Sequence, residues 1–199
     1  MAAAARLDGR VARSRRSRRA VVDALLALVE EGERRPTAAR IAERAGLSLR
    51  SVFQHFADLE ALHAETADVQ FRRVVALAGP LKTDGPLAER LGALVRQRAR
   101  VLEAMTPTRR SALLLAPSSP TIADRLADGH RLSRTHVARV FAPELGRVRG
   151  TARAELLAAL SAAASWSTWE ELRAHQGLTP ARAERTLARM LRALLGKDD

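Results

Sequence analysis

Three features of the sequence predict an all-α fold. Nearly every segment carries apolar residues at helical spacing, and no stretch alternates as a strand would. Ala, Leu, Arg and Glu, all good helix formers, dominate the chain. Pro and Gly fall at intervals that separate about nine helices. With 199 residues, 47% of them apolar, there is material for a packed interior in a small domain joined to a larger one.

The elements follow in order. Arg6 to Arg19 holds seven arginines against the single Asp8, with Ser14 and Ser17 between them. Residues 1–17 are therefore expected to be a flexible basic arm running into the first helix, Arg18 to Glu31. There Val22, Leu25, Leu26 and Val29 form the apolar stripe. Gly32 to Pro36 breaks that helix. Thr37 is placed to cap a second helix ending near Ala45, and Gly46 supplies the left-handed conformation of a tight helix end. Ser48 caps a third, Leu49 to Phe56, and Asp58 a fourth, Leu59 to Ala78, which Gly79-Pro80 stops. Further helices are expected over Pro86–Met105, Thr108–Leu115, Pro120–Phe141, Thr151–His175 and Pro180–Leu195.

Residues 41–56, IAERAGLSLRSVFQHF, have helix-turn-helix spacing. Ile41, Ala42 and Ala45 lie on one side of the second helix, and the small alanines permit a close crossing. Val52, Phe53 and Phe56 are spaced to face inward on the third, with Leu47 in the turn. Its outward face is then Arg50, Ser51, Gln54 and His55, polar and free of acids. Arg pairs bidentately with guanine and Gln with adenine in the major groove, each worth about 1–3 kcal/mol of discrimination. Thr37 and Ser48 stand at helix N-termini, where N–H groups and a hydroxyl favour phosphate oxygens.

Charge agrees with a polyanionic partner. The formal charge is +12, and residues 1–56 carry 12 Arg against 6 Asp and Glu, half of the excess in little more than a quarter of the chain. Arginine is abundant throughout, with only Lys82 and Lys197 as lysines, so the clustering is more telling than the total. A regulator of specific sites and an architectural or weakly specific DNA-binding protein would both suit this charge.

RRAVVDALLALVEEG followed by TAARIAERAGLSLRSVFQHFADLEAL resembles the DNA-binding domain of TetR/AcrR-type transcriptional regulators over Arg18 to Leu62. The likeness fixes order, spacing and residue type together. It implies a helix-turn-helix DNA-binding domain over 18–62 and a helical effector-binding and dimerisation domain over 63–199. It further implies that Thr37, Ser48, Ser51 and His55 contact backbone phosphates while Arg50 and Gln54 face bases, and Phe53 is counted with them among the candidate DNA-binding residues. Phe53 stands where the family usually has Tyr, and Leu59 where a phosphate-binding Lys is common, so two typical backbone contacts are missing. Arg15, Arg16, Arg18 or Arg19 of the arm would compensate along the minor groove or backbone.

One such reader spans few base pairs, so specificity needs two of them about one DNA turn apart. The resemblance implies a homodimer on an inverted repeat of double-stranded DNA, held by a four-helix bundle of the last two helices from each subunit. Leu156, Leu160 and Ala163, with Leu187, Leu191 and Leu194, are the candidate interface. It also implies a small-molecule effector that releases the DNA; Met105, Leu114, Phe141, Trp166 and Trp169 are candidate pocket residues. Such residues are more often simply core or interface.

Other classes find little support. There is no HExxH, GxSxG or glycine-rich phosphate loop, and no carboxylate pair beside a His, so no enzyme and no cofactor are expected. His130 and His136 are six apart, a poor spacing for a shared metal. Without cysteine there are neither disulfides nor thiolate sites. No apolar run approaches the roughly 20 residues that cross a bilayer, and Ala2–Ala5 lead into arginines rather than an export signal. A cytoplasmic protein with no membrane partner is expected.

Overall fold

The computed structural model describes residues 2–196, with side chains from Val11 onward. Among the described residues the chain forms ten α-helices and no strand: α1 (Ala2–Glu30), α2 (Ala38–Ala45), α3 (Leu49–His55), α4 (Leu59–Ala78), α5 (Leu87–Leu115), α6 (Pro120–Val140), α7 (Ala142–Leu145), α8 (Gly150–Ala163), α9 (Trp166–Glu170) and α10 (Pro180–Leu194). A 3-10 turn (Ala116–Ser118) precedes α6, and a π-helical turn (Glu171–His175) follows α9. The expected all-α class holds.

Two compact units divide these elements. The first runs to Arg72 and takes in Pro107–Arg125; the second comprises Arg73–Thr106 and the chain from Leu126. The first unit thus exceeds the expected domain over 18–62. Buried Thr66 and half-buried Val69 of α4 belong to it. The Ser119 hydroxyl donates to Glu60 at 2.8 Å, and Arg125 pairs with Asp68 at 2.9 Å.

Helix α1 packs against both α2 and α3. Its buried arc is therefore wider than the expected stripe: Val21, Ala24 and Leu28 join Val22, Leu25, Leu26 and Val29 in one cluster with Ile41, Ala42, Val52, Phe56 and Leu62. Burying each Val, Leu or Ile side chain contributes about 1.5–3 kcal/mol, so this cluster fixes where α3 sits. Where the sequence predicts a flexible arm over residues 1–17, the chain from Ala2 onward is instead the N-terminal part of α1. Ala2–Ala5 and Ala12 are strong helix formers, and no proline interrupts them.

The second unit buries Leu91, Leu94 and Val95 of α5 with Val137 and Val140 of α6, Leu160 and Ala163 of α8, and Leu187 and Leu191 of α10. A neighbouring cluster joins Ala99 and Leu102 to Trp169, Leu172 and Ala183. Arg90 and Glu144 form a buried fork, Nη2 to Oε1 at 2.6 Å and Nη1 to Oε2 at 3.1 Å, and Arg90 also donates to the Val140 carbonyl.

Besides the earlier start of α1 and the short unexpected α7, helix boundaries differ from expectation at two places. Helices Pro86–Met105 and Thr108–Leu115 are one helix, α5, with Pro107 inside it. Its 29 residues tolerate the loss of one backbone bond among good helix formers, and the division between the units falls at this proline. The expected helix Thr151–His175 breaks at Ser165, whose hydroxyl accepts from Thr168 N–H at 3.2 Å and starts α9.

Candidate nucleic-acid interface

The turn between α2 and α3 is built from backbone bonds that its sequence permits. Gly46, at φ 66°, ends α2; its N–H bonds the Glu43 carbonyl at 3.1 Å, and Leu47 N–H bonds that of Ala42 at 3.0 Å. This pair of bonds is a Schellman motif, and it needs a residue free of Cβ strain at Gly46. Both expected caps are present: Thr37 Oγ1 accepts from Arg40 N–H at 3.2 Å, and Ser48 Oγ from Ser51 N–H at 3.1 Å. Asp58 Oδ1 likewise accepts from Ala61 N–H at 2.7 Å to open α4.

Packing of Val52 and Phe56 inward leaves a defined outer face on α3. Arg50 and Gln54 are exposed, as are Thr37 and Ser48 at the two helix N-termini. Ser51 and His55 are half-buried, and the Ser51 hydroxyl lies 2.8 Å from that of Ser48. No ion pair among the described residues engages Arg50. Phe53, expected inward, is 46% exposed, beside Leu49 at 45%. The reason is angular: Val52 and Phe56, four apart, take the inward side of a seven-residue helix, and Phe53 is a hundred degrees round from Val52. The outer face is thus more apolar than the sequence predicted, and both side chains are suited to thymine methyl groups. Leu49 was not singled out because a leucine carries no hydrogen-bonding group for a base edge or a phosphate.

Salt links sort the arginines near this face. Arg18, expected to lie along DNA, is committed within the first unit: its Nε donates to Glu65 at 2.9 Å, its Nη1 to the His55 carbonyl, and its Cζ lies 4.2 Å from the Phe56 ring centroid. Arg19 faces Asp23 at 3.5 Å, Arg40 bonds Glu43 at 2.8 Å, and Arg44 bonds Glu31 at 3.0 Å. That last bond holds the Glu31 carboxyl below its ordinary range and raises the Arg44 guanidinium. Arg13, Arg15, Arg16, Arg34 and Arg35 are exposed apart from these pairings. Arg34 and Arg35, immediately before the α2 cap, could have been found from their place beside Thr37.

Three of the five candidate pocket residues come together, and the other two belong elsewhere in the two units. Phe141 is fully buried in the α5–α6–α8–α10 core, and Leu114 is exposed in the other unit. Met105, Trp166 and Trp169 do meet, around Leu102, with Trp169 Nε1 donating to Glu103 and Trp166 Nε1 to Thr106 Oγ1, each at 3.0 Å. The first unit instead carries a cleft of about 380 Å³, lined by Arg35, Thr37, Leu59, Glu60, His63 and Ile122 among others. Burial lowers the pKa of His63 there.

The candidate interface residues are also mostly internal. Leu160, Ala163, Leu187 and Leu191 are buried within the second unit, with Leu156 packed on them. Only Leu194, 39% exposed, stays outside, near Met190. Helices α8 and α10 pack on each other and use their strongest apolar faces to do so. No grouping of residues able to hold a metal ion occurs among the described residues, and none of their helices is long and apolar enough to cross a membrane.

No family model matches the chain, and no curated protein matches its sequence. Solved structures do match in fold. A transcriptional regulator from Rhodococcus sp. Rha1 is 19% identical, covers 92% of this chain and 96% of its own, and has a TM-score of 0.67. A protein from Mesorhizobium loti MAFF303099 described as a TetR-family regulator is 19% identical over 92% and 97%, with a TM-score of 0.60. A regulator from Saccharomonospora viridis, solved with choline, is 19% identical over 87% and 94%, with a TM-score of 0.65. The chain has the TetR-type regulator fold.

Proposed function

We propose that this protein is a sequence-specific DNA-binding transcriptional regulator: a repressor that binds an inverted-repeat operator as a homodimer and is released by a small-molecule effector. One observation carries the reading. The outer face of α3 offers exposed Arg50 and Gln54, with no acid on that helix, and its scaffold is fixed by the buried Ile41, Val52 and Phe56. The α2 and α3 N-termini, capped by Thr37 and Ser48, flank that face with hydroxyls and N–H groups suited to phosphates. An effector is supported by the choline held in the Saccharomonospora viridis structure of the same fold. Release requires the effector to favour the arrangement that binds DNA poorly, and DNA then weakens effector binding by the same factor. Within this reading the protein is cytoplasmic and performs no catalysis.

Selection of bound duplexes from random DNA by the purified protein tests this. A short inverted repeat with Arg50-dependent choice at one position per half-site is the expected result. Enrichment of no sequence, with uniform affinity across duplexes, would make it an architectural DNA-binding protein instead.

A further inference from the structure

Arg98 is a buried cation with no ion pair among the described residues. It sits on α5 and is 6% exposed. Of its five N–H donors, Nη2 donates to the Ser133 carbonyl at 3.1 Å, whereas Nε is cut off from solvent with no partner. Four carboxylates on α5, α6 and α7 have other partners: Glu89 pairs with Lys82, Glu103 with Arg173, Asp128 with Arg131 and Glu144 with Arg90. Nearby charge adds to the imbalance, since both Arg98 and Arg139 act on His136.

An isolated buried charge is destabilising unless something compensates it. Burial alone lowers the Arg98 pKa only to about 10, so the group stays charged at neutral pH. His136, by contrast, is pushed down by burial and then by the two arginines, which favours its neutral form. A neutral imidazole can donate to an anion or accept from a guanidinium without adding charge.

The helices that carry Arg98 and Ser133 are otherwise apolar where they are buried: Val95 of α5 and Val137 of α6 belong to one core cluster, and Ala99 of α5 to the other. We propose that Arg98, with His136 beside it, is the anchor of a binding site for a monoanionic small molecule, a carboxylate carried on an apolar body. One guanidinium balances one negative charge and offers a carboxylate two parallel N–H donors. A dianionic phosphate would leave one charge unmatched. The proposal names the chemical class of the effector in the reading above and rests on that reading for its consequence at DNA, but not for the binding itself.

Full-length protein is titrated calorimetrically, without DNA, with acetate, benzoate and octanoate, and with 1-octanol and octylammonium as matched controls. The variants are Arg98→Leu, Arg98→Lys and, as an exposed control on the same helix, Arg96→Gln. Saturable binding of an apolar carboxylate to the wild type and to Arg96→Gln is expected, at least about tenfold weaker in Arg98→Leu and in Arg98→Lys, which lacks the fork. Unliganded Arg98→Leu should be at least as resistant to urea as the wild type, because an uncompensated charge has been removed. The proposal is overturned if no carboxylate binds, if octanol binds as tightly, if the Arg98 variants bind unchanged, or if Arg98→Leu fails to fold. Carboxylate binding without any operator would sink the regulator reading and leave this one standing; an operator without carboxylate binding would do the reverse.

Discussion

Replacing Arg18 with Ala separates two roles that its position in the sequence confuses. The structure ties Arg18 to Glu65, to the His55 carbonyl at the end of α3, and to the face of Phe56. Its side chain is 42% exposed and that of Glu65 35%, so solvent screens the ion pair to about 0–1 kcal/mol. The cation–π contact adds about 0.5–1 kcal/mol, and the bond to the carbonyl about 1 kcal/mol. Arg18→Ala should therefore cost about 2 kcal/mol in urea unfolding, read by circular dichroism. Operator affinity should fall severalfold because the end of α3 is held less firmly, and it should fall alike for all sequences. The salt dependence should not change, since no phosphate contact is lost. A drop of about 0.9 in the slope of log affinity against log salt, with stability intact, would place Arg18 on the DNA and refute the assignment.

Other substitutions probe separate links. Arg50→Ala should relax choice at one operator position and cost about 1–3 kcal/mol there, read by competition with single-base variants; uniform weakening would make Arg50 a phosphate contact. Gly46→Ala meets no neighbouring atom, so its cost of about 1–2 kcal/mol in unfolding comes only from the left-handed backbone. Glu144→Gln leaves Arg90 buried without its partner and should cost about 3–5 kcal/mol at pH 7. Burial raises the Glu144 carboxyl, but the Arg90 hydrogen bond and charge bring it below its ordinary value of 4.5. Its contribution is thus present above that value and lost as pH falls through the depressed one, so wild type and variant should converge in urea at acid pH.

Local signals carried most of the first unit. Thr37, Ser48 and Asp58 cap as the sequence predicts because an N-cap depends on the side chain and the three residues that follow. Gly46 was legible for the same reason. Phe53 was not, because alternation between core and surface on a seven-residue helix turns on one residue of phase, and an aromatic biases the choice inward. In the second unit, helical spacing showed that Leu160, Leu187 and Leu191 face an apolar partner, but not that α8 and α10 partner each other in the same chain. The uncompensated charge of Arg98 was invisible in an arginine-rich sequence; only burial distinguishes it from its exposed neighbours Arg96 and Arg100.

The measurement closest to the central claim is amide and side-chain NMR of the full chain during titration with its selected duplex. Shifts confined to the α2 N-terminus near Thr37 and to Ser48 through His55, with the Arg50 and Gln54 side-chain signals moving most, are the predicted outcome. Large shifts that spare α3 and fall on α8 or α10 would contradict it.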